Sequence, residues 1–162
     1  GTAITFTAWG GTGADFILAD VSNGTGTSTL YGGRGGDVLA VQNAAPGDTN
    51  ALFGERGNDI QAGGRGNEVM SGGAARDVFL FDLENTIGTD TIVDFEEAKD
   101  FLAFEGIDDT GVAGLADDLD AITTVTDDGS GTLLITFTTG GSLSITGLGD
   151  GTIASFDDIP LI

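Results

Sequence analysis

The chain has 162 residues and a net charge of −21, with five Lys and Arg against 26 Asp and Glu, so it offers no basic surface to a nucleic acid. It contains no Cys and no His, which excludes a disulfide framework, a His-based zinc site and a Ser-His-Asp triad. Gly accounts for 29 residues, yet 40% of the chain is hydrophobic, too much for plain disorder; the mixture points to an ordered fold built on glycine turns. No apolar run approaches membrane-spanning length, and Gly1 is not followed by the charged and then apolar stretch of a secretory leader.

Residues Thr2 to Trp9 alternate loosely, with Ile4, Phe6 and Ala8 on one side, and predict an entering strand that covers the open end of a coil. From Gly10 onward a nine-residue unit recurs. Gly10-Gly11-Thr12-Gly13-Ala14-Asp15-Phe16-Ile17-Leu18 is a full copy, and others start at Gly32 and Gly54. From Gly54 to Leu80 three copies run end to end, starting at Gly54, Gly63 and Gly72. Each copy opens on Gly, carries an acid sixth and, except for Gln61, a large apolar residue eighth. The steps of 22 residues leave room for worn copies at Asn23 and Ala45, with Ser28 and Asn50 in the acid place. Each worn copy is preceded by four extra residues, Ala19 to Ser22 and Val41 to Ala44, which makes seven repeats in all.

Glycines at the first, second and fourth places permit positive φ and turn main-chain carbonyls toward one point. An Asp two residues further adds a hard anionic oxygen, a donor set that suits Ca²⁺ better than Zn²⁺. The last three residues of each unit read as a short strand with the eighth side chain inward: Ile17, Leu30, Leu39, Leu52, Gln61, Met70 and Phe79. Successive repeats then turn on opposite edges of a flat parallel coil. One edge collects Asp15, Asp37, Asp59 and Asp77; the other collects Ser28, Asn50 and Glu68.

The unit Gly-Gly-x-Gly-x-Asp-x-apolar-x resembles the nonapeptide of the calcium-binding RTX family of secreted bacterial proteins. The resemblance implies a parallel β-roll with one Ca²⁺ between neighbouring turns on an edge, hence about three ions at Asp15/Asp37, Asp37/Asp59 and Asp59/Asp77. Main-chain carbonyls of the glycine-rich loops complete each shell on this reading: Gly11, Gly13, Gly32, Gly33, Arg34, Gly35, Gly54, Glu55, Arg56, Gly57, Gly72 and Ala74. Few or no ions are expected on the second edge, where Ser28 and Asn50 lack charge and Glu68 is one methylene longer than Asp. Arg34 and Arg56 recur two repeats apart and read as solvated offsets to nearby acids.

After Leu80 the nonapeptides are expected to stop. Asp90-Thr91-Ile92-Val93-Asp94-Phe95 and Asp100-Phe101-Leu102-Ala103-Phe104 resemble the segment that comes after the coil in serralysin-type proteins. Asp90, Asp94 and Asp100 are then either ligands of one further ion or solvated turn acids, and Ile92, Phe95, Phe101 and Phe104 seal the coil. Val112, Leu115, Leu119 and Ile122 recur at helical spacing, with Asp117, Asp118 and Asp120 opposite, and predict a short helix capped near Asp109 or Thr110. Strands are predicted at Ile122 to Thr126, Thr132 to Thr138 and Ser142 to Thr146, joined by hairpin turns at Asp127 to Gly131 and Thr139 to Gly141. Phe156 to Ile162, acid and then apolar, resembles the export signal of type I secreted proteins.

The expected fold is all-β: an N-terminal strand over 1–9, a parallel β-roll over 10–80 and a C-terminal β-rich cap with one short helix over 81–162. The expected function is a calcium-binding module, exported by type I secretion machinery and folding outside the cell, with no nucleic acid and no membrane span as partners. The alternative is the non-catalytic C-terminal part of a secreted enzyme, such as a serralysin-like metalloprotease, a lipase or a polysaccharide epimerase. The chain itself is expected to carry no catalytic site, although its composition leaves a carboxylate-only glycosidase pair open.

Overall fold

The computed structural model describes residues 4–22, 26–107, 119 and 122–162. Within them the alternation of apolar and polar residues produces short strands, and the glycine-rich units between them reverse the chain each time. Strands β1 (Ile4–Thr12), β3 (Gly26–Arg34), β5 (Thr49–Arg56), β7 (Asn67–Ser71) and β9 (Thr89–Ile92) lie side by side in one parallel array. The intervening β2 (Phe16–Asp20), β4 (Val38–Gln42), β6 (Ile60–Ala62), β8 (Val78–Asp82) and β10 (Phe101–Glu105) form a second, five-stranded parallel sheet. The chain alternates between the sheets, so each pair of strands is one turn of a flat β-roll. Neighbouring turns lie about 4.8 Å apart in the hydrogen-bonding direction.

The register places equivalent repeat positions above one another. Ala8, Leu30, Leu52, Met70 and Ile92 are partners along the first sheet. Ile17, Leu39, Gln61, Phe79 and Leu102 are partners along the second. Leu30, Leu39, Leu52, Met70, Phe79, Ile92 and Leu102 are fully buried, so the eighth residue of each repeat points into the space between the sheets, as its place in the repeat predicts. Gln61 is buried in the same row; its Nε2 donates to the Ser71 carbonyl at 2.6 Å. Outside the first sheet the register stacks Trp9, Tyr31 and Phe53, with centroids 5.8 and 5.0 Å apart.

Two expectations about the ends of the roll are corrected. The sequence predicts that residues 1–9 form a strand covering the coil; β1 instead pairs in register with β3 and is itself a rung of the roll. The coil also continues past Leu80. β9 pairs in parallel with β7 and β10 with β8, and Asp90 and Asp100 stand in the sixth place of two further, heavily worn repeats. The boundary at residue 80 therefore cuts through the roll, which runs on to Glu105.

The first sheet is then extended by antiparallel strands. β13 (Ser142–Thr146) adds in parallel to β9, and β12 (Thr132–Phe137) and β11 (Thr123–Asp127) are joined on by hairpins at the predicted turns. Phe137, Leu143, Ile145, Leu148 and Phe156 bury their side chains with Phe81, Phe95 and Phe104, closing the C-terminal end. A 3-10 turn over Phe156–Asp158 comes next, and Leu161 bridges to Leu102. Most of the predicted helix, including Asp109, Thr110, Val112, Leu115, Asp117, Asp118 and Asp120, lies outside the described residues. Leu119 is helical and fully buried.

The loops on the Asp edge all adopt one backbone conformation. Their second places have φ of 100° at Gly11, 106° at Gly33, 74° at Glu55 and 93° at Gly73. Their fourth places have φ of 116° at Gly13, 141° at Gly35, 132° at Gly57 and 103° at Ala75. Glu55 and Ala75 thus carry a Cβ where the loop requires the left-handed region, at a cost of roughly 1–2 kcal/mol each. Glu55→Gly and Ala75→Gly should each raise the free energy of unfolding by about 1 kcal/mol, after allowing for the looser unfolded chain. The midpoint of denaturant-induced unfolding measures this.

Candidate metal centre

The sixth residue of each repeat sits where the glycine loop runs into the next strand of the second sheet. There Asp15, Asp37, Asp59, Asp77 and Asp100 come into one row. From Asp37 onward each aspartate accepts a hydrogen bond from the turn before it. Asp15 N–H donates to Asp37 Oδ1 at 2.8 Å, Asp37 N–H to Asp59 Oδ1 at 2.7 Å, Asp59 N–H to Asp77 Oδ1 at 2.9 Å and Asp77 N–H to Asp100 Oδ1 at 3.0 Å. The main-chain carbonyls of the same residues accept from the following turn: Val38 N–H to Asp15, Ile60 N–H to Asp37, Val78 N–H to Asp59 and Phe101 N–H to Asp77.

The other carboxylate oxygens are not so provided. Oδ2 of Asp15, Asp37, Asp59 and Asp77 is buried without a hydrogen-bond partner. A buried anionic oxygen with nothing to accept from costs several kcal/mol in a protein interior. Here four stand in file, and the glycine that opens each repeat leaves space beside each one. A Cβ at Gly10 would lie 2.7 Å from Asp15 Oδ2 and 2.6 Å from the Gly32 carbonyl. One at Gly32 would lie 2.6 Å from Asp37 Oδ2 and 2.9 Å from the Gly54 carbonyl. One at Gly54 would lie 2.5 Å from Asp59 Oδ2 and 2.6 Å from the Gly72 carbonyl, and one at Gly72 would lie 2.5 Å from Asp77 Oδ2. Bare glycine thus leaves a carboxylate oxygen and a carbonyl oxygen of the next turn facing a common space. This oxygen-only donor set fits a hard divalent cation such as Ca²⁺.

No three Asp or Glu side chains converge on a single point among the described residues, so a cation on this edge would rest on carboxylates from neighbouring turns and on main-chain oxygens. The carbonyls of Gly32, Gly54 and Gly72 are the best placed of those named from the sequence. Gly11, Gly13, Gly35 and Glu55 direct theirs against the following turn, toward Gly33, Gly35, Gly57 and Gly73 respectively. The carbonyls of Arg34, Arg56 and Ala74 already accept the N–H of Gly13, Gly35 and Gly57, which leaves them one lone pair. Gly33 and Gly57 supply the positive-φ corners of the same loops.

Asp90, Asp94 and Asp100 do not form the single additional site considered from the sequence. Asp90 stands on the opposite edge. Asp94 accepts from Gly72 N–H, Gly73 N–H and the Ser71 hydroxyl, and Asp100 accepts from Asp77 N–H on one oxygen and Glu96 N–H on the other. Asp100 ends the row because its second oxygen has a partner.

The second edge solves the same burial differently. Ser28 N–H and its hydroxyl donate to Asn50 Oδ1, at 3.1 and 2.7 Å. Asn50 Nδ2 donates to Glu68 Oε1 at 2.8 Å, and Glu68 N–H to Asp90 Oδ1 at 2.8 Å. Asp90, in the sixth place 22 residues after Glu68, has no counterpart in the seven-repeat reading of the sequence. The signal that finds it is Gly88, Asp90 and Ile92 at the fourth, sixth and eighth places of a unit starting at Asn85.

Burial raises the carboxyl pKa on the Asp edge. That of Asp77 is pushed up to about 6, first by burial and then by the charges of Asp100, Asp59 and Asp94; those of Asp59 and Asp100 also rise, chiefly by burial.

No family model matches the chain, and no curated protein matches it. Among solved structures, the solution structure of the AlgE6R3 subunit from the Azotobacter vinelandii mannuronan C5-epimerase is similar at a TM-score of 0.40 and 22% identity, over 94% of this chain and 79% of that one.

Two outcomes test this edge. Gly54→Ala places a methyl group against Asp59 Oδ2 and the Gly72 carbonyl; it should destabilise the fold by roughly 1–3 kcal/mol and shift any calcium titration to higher concentration. With divalent ions chelated, folded Asp77 keeps a proton that the unfolded chain releases from its ordinary value of 3.8 upward, until the pH passes about 6. Its contribution is therefore complete below about pH 4 and is lost as pH rises through about 6, so in chelator the β signal in far-UV circular dichroism should be larger at pH 4.5 than at pH 7.5.

Proposed function

We propose that this chain is a calcium-binding module of the RTX type, without catalytic activity of its own, whose roll forms when Ca²⁺ occupies the Asp edge. The observation that carries this reading is the file of buried, partnerless Oδ2 atoms on Asp15, Asp37, Asp59 and Asp77, each beside a glycine whose missing side chain leaves an oxygen-lined space. Three ions between these four aspartates would bring six positive charges against four negative ones, more than neutralising the row and offsetting part of the chain's net charge of −21. They would also join each turn to the next through groups that no other residue serves.

Calcium modules that work outside cells bind at about 10⁻⁴ to 10⁻³ M, far above cytosolic calcium. Inside the producing cell the sites are then empty, and a chain of net charge −21 remains expanded by its own repulsion. Such a chain suits a narrow exporter of the type I kind. Outside, each ion held at ten times its dissociation constant adds about 1.4 kcal/mol to the folded state. Folding thus comes after export, and the calcium gradient sets its direction.

In chelator at neutral pH the far-UV circular dichroism should be mostly that of a disordered chain, and millimolar calcium should restore the β signal. Asp59→Asn, which weakens two neighbouring positions, should require several-fold more calcium. A protein that is fully folded and equally heat-stable in chelator would refute the reading.

A further inference from the structure

Glu68 and Asp90 are both fully buried on the second edge, in consecutive turns, and no Lys or Arg among the described residues forms an ion pair with either. We infer that Glu68 and Asp90 form a proton-binding site, sharing one proton across the second edge of the roll where the first edge would hold Ca²⁺. The inference does not depend on the calcium reading, because it rests on a different edge and different residues.

Oxygen bookkeeping isolates the proton's place. Glu68 Oε1 accepts from Asn50 Nδ2 and Oε2 from Gly64 N–H at 3.0 Å. Asp90 Oδ1 accepts from Glu68 N–H, and Asp90 Oδ2 alone is left buried with no donor. A proton on Asp90 makes that oxygen a donor toward Glu68 and leaves every oxygen of the pair engaged. Two adjacent carboxylates cannot both ionise in such a place, so the pair holds one proton far above the usual carboxylate range.

The space for a metal ion is filled. On the first edge the position of a Cβ at Gly54 faces a carboxylate oxygen and a carbonyl. At Gly63, the equivalent glycine before Glu68, that position meets the Met70 methyl at 2.7 Å and Glu68 Oε2 at 3.3 Å, with the Phe81 ring behind them at 3.8 Å and no main-chain oxygen among the three. An ion would find a thioether methyl and an aromatic edge in place of main-chain oxygen.

The surroundings agree. Asn50 from β5 and Gly64 from the preceding loop present neutral donors, and Leu143 of β13 lies beside Asp90. Asp48 is the further charge acting on Glu68 and is negative; Arg65, on the same loop as Gly64, is exposed. Burial raises Glu68 and, with the Glu68 charge, raises Asp90 to about 8. Both shifts mean that the folded form holds a proton the unfolded chain has lost, so this contribution is complete below about pH 4 and disappears as pH climbs through about 8.

The experiment uses the whole chain in saturating calcium, which keeps the first edge ionised and silent. Infrared or carbon NMR spectroscopy should find a protonated carboxyl that persists at about pH 7 and is absent from both Glu68→Gln and Asp90→Asn. Between about pH 5 and 8.5 the unfolding midpoint of the unaltered protein should fall. In either variant that slope should drop by about half or more, with calcium stoichiometry unchanged. The unaltered protein showing no protonated carboxyl above about pH 6 would overturn the inference even if both variants failed to fold. A variant that binds one calcium fewer would overturn it in favour of a cation at this edge.

Discussion

A row of carboxylates that are half satisfied organises this molecule. Asp37, Asp59 and Asp77 each give one oxygen to the N–H of the turn before and a main-chain carbonyl to the turn after. The side chain is thereby held in place by main-chain hydrogen bonds that any metal-free roll would make. The second oxygen is held in place without being satisfied, and it faces the space left by glycine. The fold brings oxygens together at a density that water cannot relieve, because the site is buried, and that Lys or Arg does not relieve, because the one ion pair among the described residues is Lys99 with Glu96 at the surface. A small cation of charge two is the counterpart that the proposed function assigns to this row.

The two edges show that one backbone plan admits more than one way of burying polarity. Along the second edge the sixth place runs Phe6, Ser28, Asn50, Glu68, Asp90, from apolar to doubly acidic. From Ser28 onward each member hands a hydrogen bond to the next, so that hydroxyl, carboxamide and carboxyl together replace the cation. Where hydrogen-bond donors run out, at Glu68 and Asp90, a proton is the remaining partner, and Met70 occupies the volume that glycine keeps open on the opposite edge. Edge one leaves carboxylate oxygens without a donor, and edge two links its polar groups to one another.

The ends of the roll obey the same accounting. The row of partnerless oxygens stops at Asp100, whose second oxygen accepts from Glu96 N–H. The open sheet is then carried on by β13, β12 and β11, which need no loop chemistry because hairpins return the chain directly. Aromatic side chains take over from the small residues of the coil there: Phe104 packs on Phe81 at 5.7 Å and edge-on against Phe156 at 5.7 Å, and Phe137 lies 6.2 Å away.

Much of this was legible in the amino-acid order. A period of nine with glycine at the turns, Asp in the sixth place and an apolar eighth determined a two-sided coil, its inward row and the membership of each edge through Asp77, because those features are local and repeat. The hairpins from Asp127 to Thr146 were legible for the same reason. The extent of the roll was not. Asp90 and Asp100 occupy sixth places in units that have lost most of their glycines, and only the pairing of β9 and β10 with the turns before them shows that they belong. Nor does the repeat say which oxygens are left over, since Asp94 and Asp59 look alike as residues; one accepts from the N–H groups of Gly72 and Gly73, and the other keeps a buried Oδ2 without a partner. Partner count is a property of three-dimensional neighbours brought together across 18 to 23 residues, and it alone separated the aspartates with a buried, unpartnered oxygen from those already satisfied.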